Sequence, residues 1–214
     1  MAVISPTVLA SDVDSYKKQM DLVTSFAPRI QVDITDGIFT PSFTVGINDL
    51  WWPEGTLVDV HAMVQRPEDY LVPLIRLKPH MVIFHAEAEG DMPAVLATLR
   101  QYGIQSGVAL LRGTVPLNQE AVIREADHVM IFTGDLGKFG GEASLMQLEK
   151  VRLIKRINPE AEIGWDGGVT VDNAYGIKQG GVDVLNVGSA IHMSATPQET
   201  YEVLVAEINK KGVF

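Results

Sequence analysis

A single closed α/β barrel, the (β/α)8 or TIM barrel, is the fold class this sequence predicts over residues 1–214. Three observations lead there: eight short apolar runs, amphipathic stretches between most of them, and a length of 214 residues, close to the lower limit of about 200 for that architecture. An open doubly wound sheet uses the same alternation and is the competing architecture. No Ser/Pro/Gly-rich tract, charge block or low-complexity run marks a linker, so one domain is expected.

The apolar runs cover residues 3–9, 30–34, 57–60, 81–85, 104–110, 128–132, 161–165 and 182–187. Val and Ile dominate them and polar residues scarcely interrupt them, as in strands covered on both faces. Between the runs, Val13, Tyr16, Met20 and Val23 recur at the spacing of one helical face, and Leu145, Leu148, Arg152 (through its stem) and Ile154 do so approximately. Residues 91–102 read as a helix ended by Gly103. Thr196, Pro197 and Glu199 fit N-cap, first and third positions of the last helix. Pro73 falls inside the helix after the third strand and predicts a break or kink there. The segment 35–52, with Gly37, Pro41 and Gly46 and then Pro53, leaves little room for a helix after the second strand. A loop of that length at a strand end is more often functional than idle.

Composition narrows the partners. A net charge of −10 leaves no basic stripe for nucleic acid, so none is expected. An anionic ligand would need local help from backbone N–H groups or a placed cation. Cysteine is absent, which removes disulfides, thiolate metal ligands and a thiol nucleophile. No apolar run approaches the roughly 18 residues of a membrane span, and the first residues lack a basic segment leading into a long apolar one. No membrane partner and a cytoplasmic location are the expectation.

Polar residues collect where strands should end: Asp33 and Asp36 after the second, His61 after the third, His85 after the fourth and Asp166 after the seventh. A barrel gathers the C-terminal ends of its strands into one mouth, which is where such enzymes work. A lone strand-end Asp is as often a loop cap, but several at one end point to catalysis. Beside two carboxylates, His61 is a candidate metal ligand rather than a core histidine. Asp166-Gly167-Gly168 and Gly188-Ser189 follow strands seven and eight, where barrels commonly cradle phosphate. Gly140-Gly141, after strand six, is placed to close over the same group. His85 ends a strand and either reaches the mouth or is a core or rim histidine, while His80, His128 and His192 read as structural, and Trp51 and Trp52 as core and interface.

At these residues the chain resembles the ribulose-phosphate 3-epimerase family along nearly its whole length. The matching segments are Ile4-Ser5-Pro6-Thr7, Val32-Asp33 with Asp36-Gly37, Asp59-Val60-His61-Ala62-Met63, Phe139-Gly140-Gly141, Asp166-Gly167-Gly168 and Gly188-Ser189-Ala190-Ile191. The resemblance implies metal-assisted epimerisation of a ketopentose phosphate at C3. A proton alpha to a carbonyl leaves from one face and another arrives on the opposite face, so two groups must flank the carbon. By resemblance Asp33 and Asp166 are that pair and also metal ligands, with His61 a third ligand that also borders the substrate. Gly140, Gly141, Gly167, Gly168, Gly188 and Ser189 would hold the phosphate, Thr7 would touch the sugar, and a homo-oligomer is implied.

Some positions depart from the family pattern. Gln31 stands where the family carries a His ligand, which exchanges an imidazole for an amide. Three readings follow: a metal site of Gln31, Asp33, His61 and Asp166 shifted from zinc toward manganese, iron or magnesium; a metal-free site with Gln31 bonded to substrate; or loss of epimerase activity. Residues 134–138 (Gly-Asp-Leu-Gly-Lys) replace the family's lid sequence, and Lys138 is either a cation for the phosphate or, as for most loop lysines, solvated. Thr7, Thr35 and Ser42 also differ, around the sugar. Two other functions are open. A lyase or decarboxylase on the same barrel would use an Asp-x-Lys-x-x-Asp run, but Asp33-Ile34-Thr35-Asp36 contains no Lys. A non-catalytic phosphosugar-binding barrel would keep the cradle and lose the chemistry.

Overall fold

Eight parallel strands close in the order β1-β2-β3-β4-β5-β6-β7-β8, each paired with the next and β8 with β1. The structure is a computed structural model and describes residues 2–138 and 140–210. The strands are β1 (Val3–Val8), β2 (Arg29–Thr35), β3 (Leu57–Met63), β4 (Met81–His85), β5 (Gln105–Leu110), β6 (His128–Phe132), β7 (Glu162–Asp166) and β8 (Val184–Val187). All eight apolar runs became strands, which is the (β/α)8 barrel rather than the open sheet. The pairing of β8 with β1 leaves no strand edge open to water, and both faces of nearly every strand are buried.

The helices are α1 (Val13–Val23), α2 (Leu71–Leu77), α3 (Met92–Gln101), α4 (Glu120–Glu125), α5 (Glu149–Ile157), α6 (Val171–Gln179), the short α7 (Ser189–His192) and α8 (Pro197–Ile208). Between β2 and β3 there is only a 3-10 turn, Ile47–Asp49, as the glycines and prolines of that segment require. In α1, Tyr16, Met20 and Val23 are buried, while Val13 at the first position is exposed. The Asp12 side chain caps α1 by accepting from Ser15 N at 2.8 Å.

In α5 the inward face is Lys150, Val151, Ile154 and Ile157, and Arg152 is exposed. Leu145–Leu148 is a 3-10 turn with three residues per turn, so its phase does not carry into the α-helix. Pro73 causes no kink, because α2 starts at Leu71 and the proline falls in its first turn, where an N–H would lack a partner anyway. Gly103 has φ +75 just past α3, the left-handed stop expected of it. No described helix is long and apolar enough to cross a membrane.

The lumen is layered. At the N-terminal end, Arg29 donates through Nε to Asp59 at 2.7 Å and through both terminal nitrogens to Glu162 at 2.9 and 2.8 Å. His80 Nδ1 lies 2.7 Å from Asp59 and His128 Nδ1 lies 2.8 Å from Glu162, so both histidines are structural. Above this plug, Met81, Ile83, Ala109, Met130 and Phe132 fill one side. The polar mouth lies above them.

Burial pushes the Glu162 carboxyl up, but hydrogen bonds and charge from Arg29 and His128 outweigh it and hold the group well below the usual carboxylate range. A depressed folded-state pKa gives stability that is present above the unfolded value, near 4.3, and is lost as pH falls below it. Melting of the protein is therefore expected to fall steeply between about pH 5 and pH 3. Glu162→Gln should flatten that loss and lower the pH 7 melting temperature by about 4–8 °C. That shift corresponds to about 2 kcal/mol, less than for a fully buried pair because 33% of the Glu162 side chain remains exposed. An unchanged pH profile in the variant would show that the plug contributes nothing.

Candidate active site

One cavity opens at the C-terminal ends of the strands. Thr7, Asp33, Asp166, Gly167, Gly168, Gly188 and Ser189 line it, together with Gly140, Lys138, Asp135 and Asn186. Asp33 comes from β2 and Asp166 from the last position of β7. Gln31 joins them, donating from Nε2 to Asp33 Oδ1 at 2.8 Å and to Asp166 Oδ2 at 2.5 Å. His61 Nδ1 lies 3.0 Å from Asp33 Oδ1 and 3.8 Å from Asp166 Oδ2. The register explains the meeting: Asp33 pairs with His61 and Asp166 with Asn186, so these side chains point to the same side of the sheet.

Burial first, and then the charge of Asp33, push the Asp166 carboxyl up to about 7, against the pull of His61 and the Gln31 amide. Behind the carboxylates, His61 Nε2 lies 2.9 Å from His85 Nε2, and His85 Nδ1 lies 3.4 Å from Glu87 Oε2. Burial drives His85 down to about 4, so it is neutral near neutral pH. Its ring packs 4.9 Å from that of Phe39 and 5.5 Å from that of Phe132. His85 thus belongs to the support of the site rather than to its mouth.

The glycine turns are tightly determined. Gly167 has φ +113, and a Cβ there would stand 2.0 Å from the Gly134 nitrogen. Gly168 has φ +69, and its Cβ would stand 2.1 Å from the Ala143 nitrogen. Only glycine fits either position. The Gly167 carbonyl accepts from Thr133 Oγ1 at 2.9 Å and from Trp165 Nε1 at 3.1 Å. The Gly168 carbonyl accepts from Asn173 Nδ2 at 2.8 Å, and Asn173 Oδ1 accepts from Thr170 N at 2.8 Å at the start of α6. Gly188 precedes α7, whose leading N–H groups have no intrahelical partners.

Not every expected residue reaches the cavity. Gln31 and His61 are fully buried and do not line it; His61 touches the carboxylates, not the space a substrate would fill. Gly141 does not line it either, and Phe139 lies outside the described residues. Asp36 turns its own loop, accepting from Ile38 N, Phe39 N and Gln65 N, which is the cap role open to any strand-end Asp. Thr35 is engaged with Ser42 O and Thr44, and neither Thr35 nor Ser42 borders the cavity. Lys138 is both exposed and part of the lining, the one cation there among the described residues. Thr133, Trp165, Asn173 and Asn186 were not foreseen. Asn186 carried a visible signal, an amide inside an apolar run two residues before the Gly-Ser turn.

Asp33, His61 and Asp166 offer one donor atom each within 4.8 Å of one another, a set that fits a divalent cation. Gln31 turns its N–H groups toward the carboxylates, and its Oε1 is buried without a partner. To add an oxygen ligand the amide must turn over and give up both hydrogen bonds.

A model of the Ribulose-phosphate 3 epimerase family matches residues 3–192. The chain belongs to that family. It is 30% identical over 210 residues to a ribulose-phosphate 3-epimerase of Mycobacterium leprae, covering 94% of this chain and 92% of that protein. It is 31% identical over 199 residues to one of Helicobacter pylori, covering 89% and 91%. A cytoplasmic isoform from Oryza sativa is 30% identical over 213 residues, covering 95% and 92%. Among solved structures, a 3-hexulose-6-phosphate synthase superposes with a TM-score of 0.72 at 14% identity, covering 95% of this chain and 98% of that one. An orotidine 5'-phosphate decarboxylase from Pyrococcus horikoshii does so with a TM-score of 0.67 at 15% identity, covering 98% and 100%. At such identities the likeness is one of fold alone.

The Gln31 amide predicts weak zinc binding. Gln31→His is expected to tighten zinc binding on the order of 10–100-fold, read by chelator competition. Equal affinity in both proteins would show that position 31 does not contribute to the cation site.

Proposed function

We propose that the chain interconverts the C3 epimers of a ketopentose phosphate of the D-ribulose 5-phosphate/D-xylulose 5-phosphate type, with Asp33 and Asp166 as the acid/base pair. The observation that carries this reading is the meeting of two carboxylates, from opposite parts of the chain, in the lining of a cavity that the glycine turns also line. The backbone of Gly167, Gly168, Gly188, Ser189 and Gly140, with Gly141 behind, is suited to a phosphate. Lys138 offsets part of the −10 net charge at that point. Thr7 borders the sugar.

One aspartate takes the C3 proton and leaves an enediolate; the other delivers a proton to the opposite face. The environment supports the division of labour, since burial and the charge of Asp33 push Asp166 up to about 7, where it exchanges a proton near neutral pH, so the pair can present one acid and one base together. The product leaves the two with exchanged protonation, which is the state needed for the reverse reaction. Gln31 N–H groups hold both carboxylates in place, and His61, itself met by His85, holds Asp33 from behind.

A divalent cation, held by Asp33, His61 and Asp166 with Gln31 turned over as a fourth ligand, would supply positive charge to the developing enediolate. Zinc, manganese, iron and magnesium are the candidates, and the amide favours the harder ones. The orientation of Gln31, donating to both acids, equally supports a site that works with the amide in place of the cation. Activity that survives chelation belongs to the second arrangement.

Asp33→Asn and Asp166→Asn are each expected to stop deuterium uptake at C3 in heavy water, with loss of epimerisation on the order of 10²–10⁴-fold. Proton NMR of the ketopentose phosphate checks it. Unchanged exchange in both variants removes the mechanism.

A further inference from the structure

Asn186 borders the cavity with an amide whose oxygen is buried and unpaired. It is 3% exposed, lines the cavity, and its Oδ1 has no hydrogen-bond partner. A buried amide kept for structure would have its carbonyl satisfied; leaving it orphaned costs stability. Its place in the register is informative. Asn186 pairs with Asp166 on one side and with Ser5 on the other, and Gly188-Ser189 follow two residues further along β8. Ser5 is buried and does not line the cavity, so of the two only Asn186 borders it.

Asn186 therefore stands between the proton-transfer pair and the phosphate cradle. In a ketopentose 5-phosphate, C4 and C5 lie between the reacting C3 and the ester, and only C4 carries a hydroxyl. We propose that Asn186 is a specificity-determining residue that reads this 4-hydroxyl; the inference rests on the phosphosugar reading above. A hydroxyl both donates and accepts, so either end of the amide can meet it. A site built around such a bond discriminates strongly against a ligand lacking the group, because the buried amide is then left unpaired. A phosphorylated substrate with no oxygen at that carbon would fit the same space and be rejected.

Calorimetric binding of xylitol 5-phosphate and its 4-deoxy counterpart, to the chain and to Asn186→Val, tests this. Loss of the hydroxyl should weaken binding to the unaltered chain on the order of 10–100-fold and to the variant by less than about threefold. The variant should melt no lower than the parent, because an orphaned polar group has been removed. A lower melting temperature with the penalty unchanged would make Asn186 a structural residue and overturn the proposal. Equal binding of both ligands to the unaltered chain would overturn it as well, leaving the phosphosugar reading intact. Failure of both ligands to bind the unaltered chain would remove that reading, and the role of Asn186 with it.

Discussion

Two carboxylates held side by side and largely buried are the constraint around which the upper half of the barrel is organised. Asp33 and Asp166 repel one another, and burial strengthens the repulsion. Left alone, such a pair would be costly. The Gln31 amide spans it, although Gln31 and Asp166 are 135 residues apart in sequence. His61 supports Asp33 from behind and is itself met by His85. The remaining imbalance is met by a proton on Asp166 or by a cation, and either answer prepares the site for proton transfer at carbon.

The fold makes that pair possible because closure brings β2 and β7 to one mouth. The opposite end has the contrary character. There Arg29 satisfies Asp59 and Glu162, and two histidines complete the network, so charge is buried with partners. Around the site, Gln31 Oε1 and Asn186 Oδ1 are left without hydrogen-bond partners.

The strands were legible because burial on both faces forces nearly continuous Val and Ile, a pattern that needs no tertiary information. Helix faces were less so. The stretch from Leu145 switches from a 3-10 turn to an α-helix at Glu149, and the phase change moved Arg152 outward. The weak second helix was readable, since Gly37, Pro41 and Gly46 oppose any regular structure there. In the site, the strand-end rule brought Asp33, His61 and Asp166 together, but it could not separate Asp36, whose carboxylate is used up by three backbone N–H groups. The position of Gln31 could be read from the family pattern; which way its amide points could not, because that depends on two acids far away in the chain. Asn173 and Thr133 act on carbonyls of the glycine turn, contacts that no local pattern announces.

The claim at the centre is that two different groups serve the two faces of one carbon. The most direct measurement follows label in the unaltered protein at early conversion in heavy water. Product epimer carrying one deuterium at C3, with recovered substrate still protiated, is the expected result. Deuterium appearing in recovered substrate as fast as in product would mean a single group exchanging its proton with solvent from one face, and would contradict the paired-aspartate account.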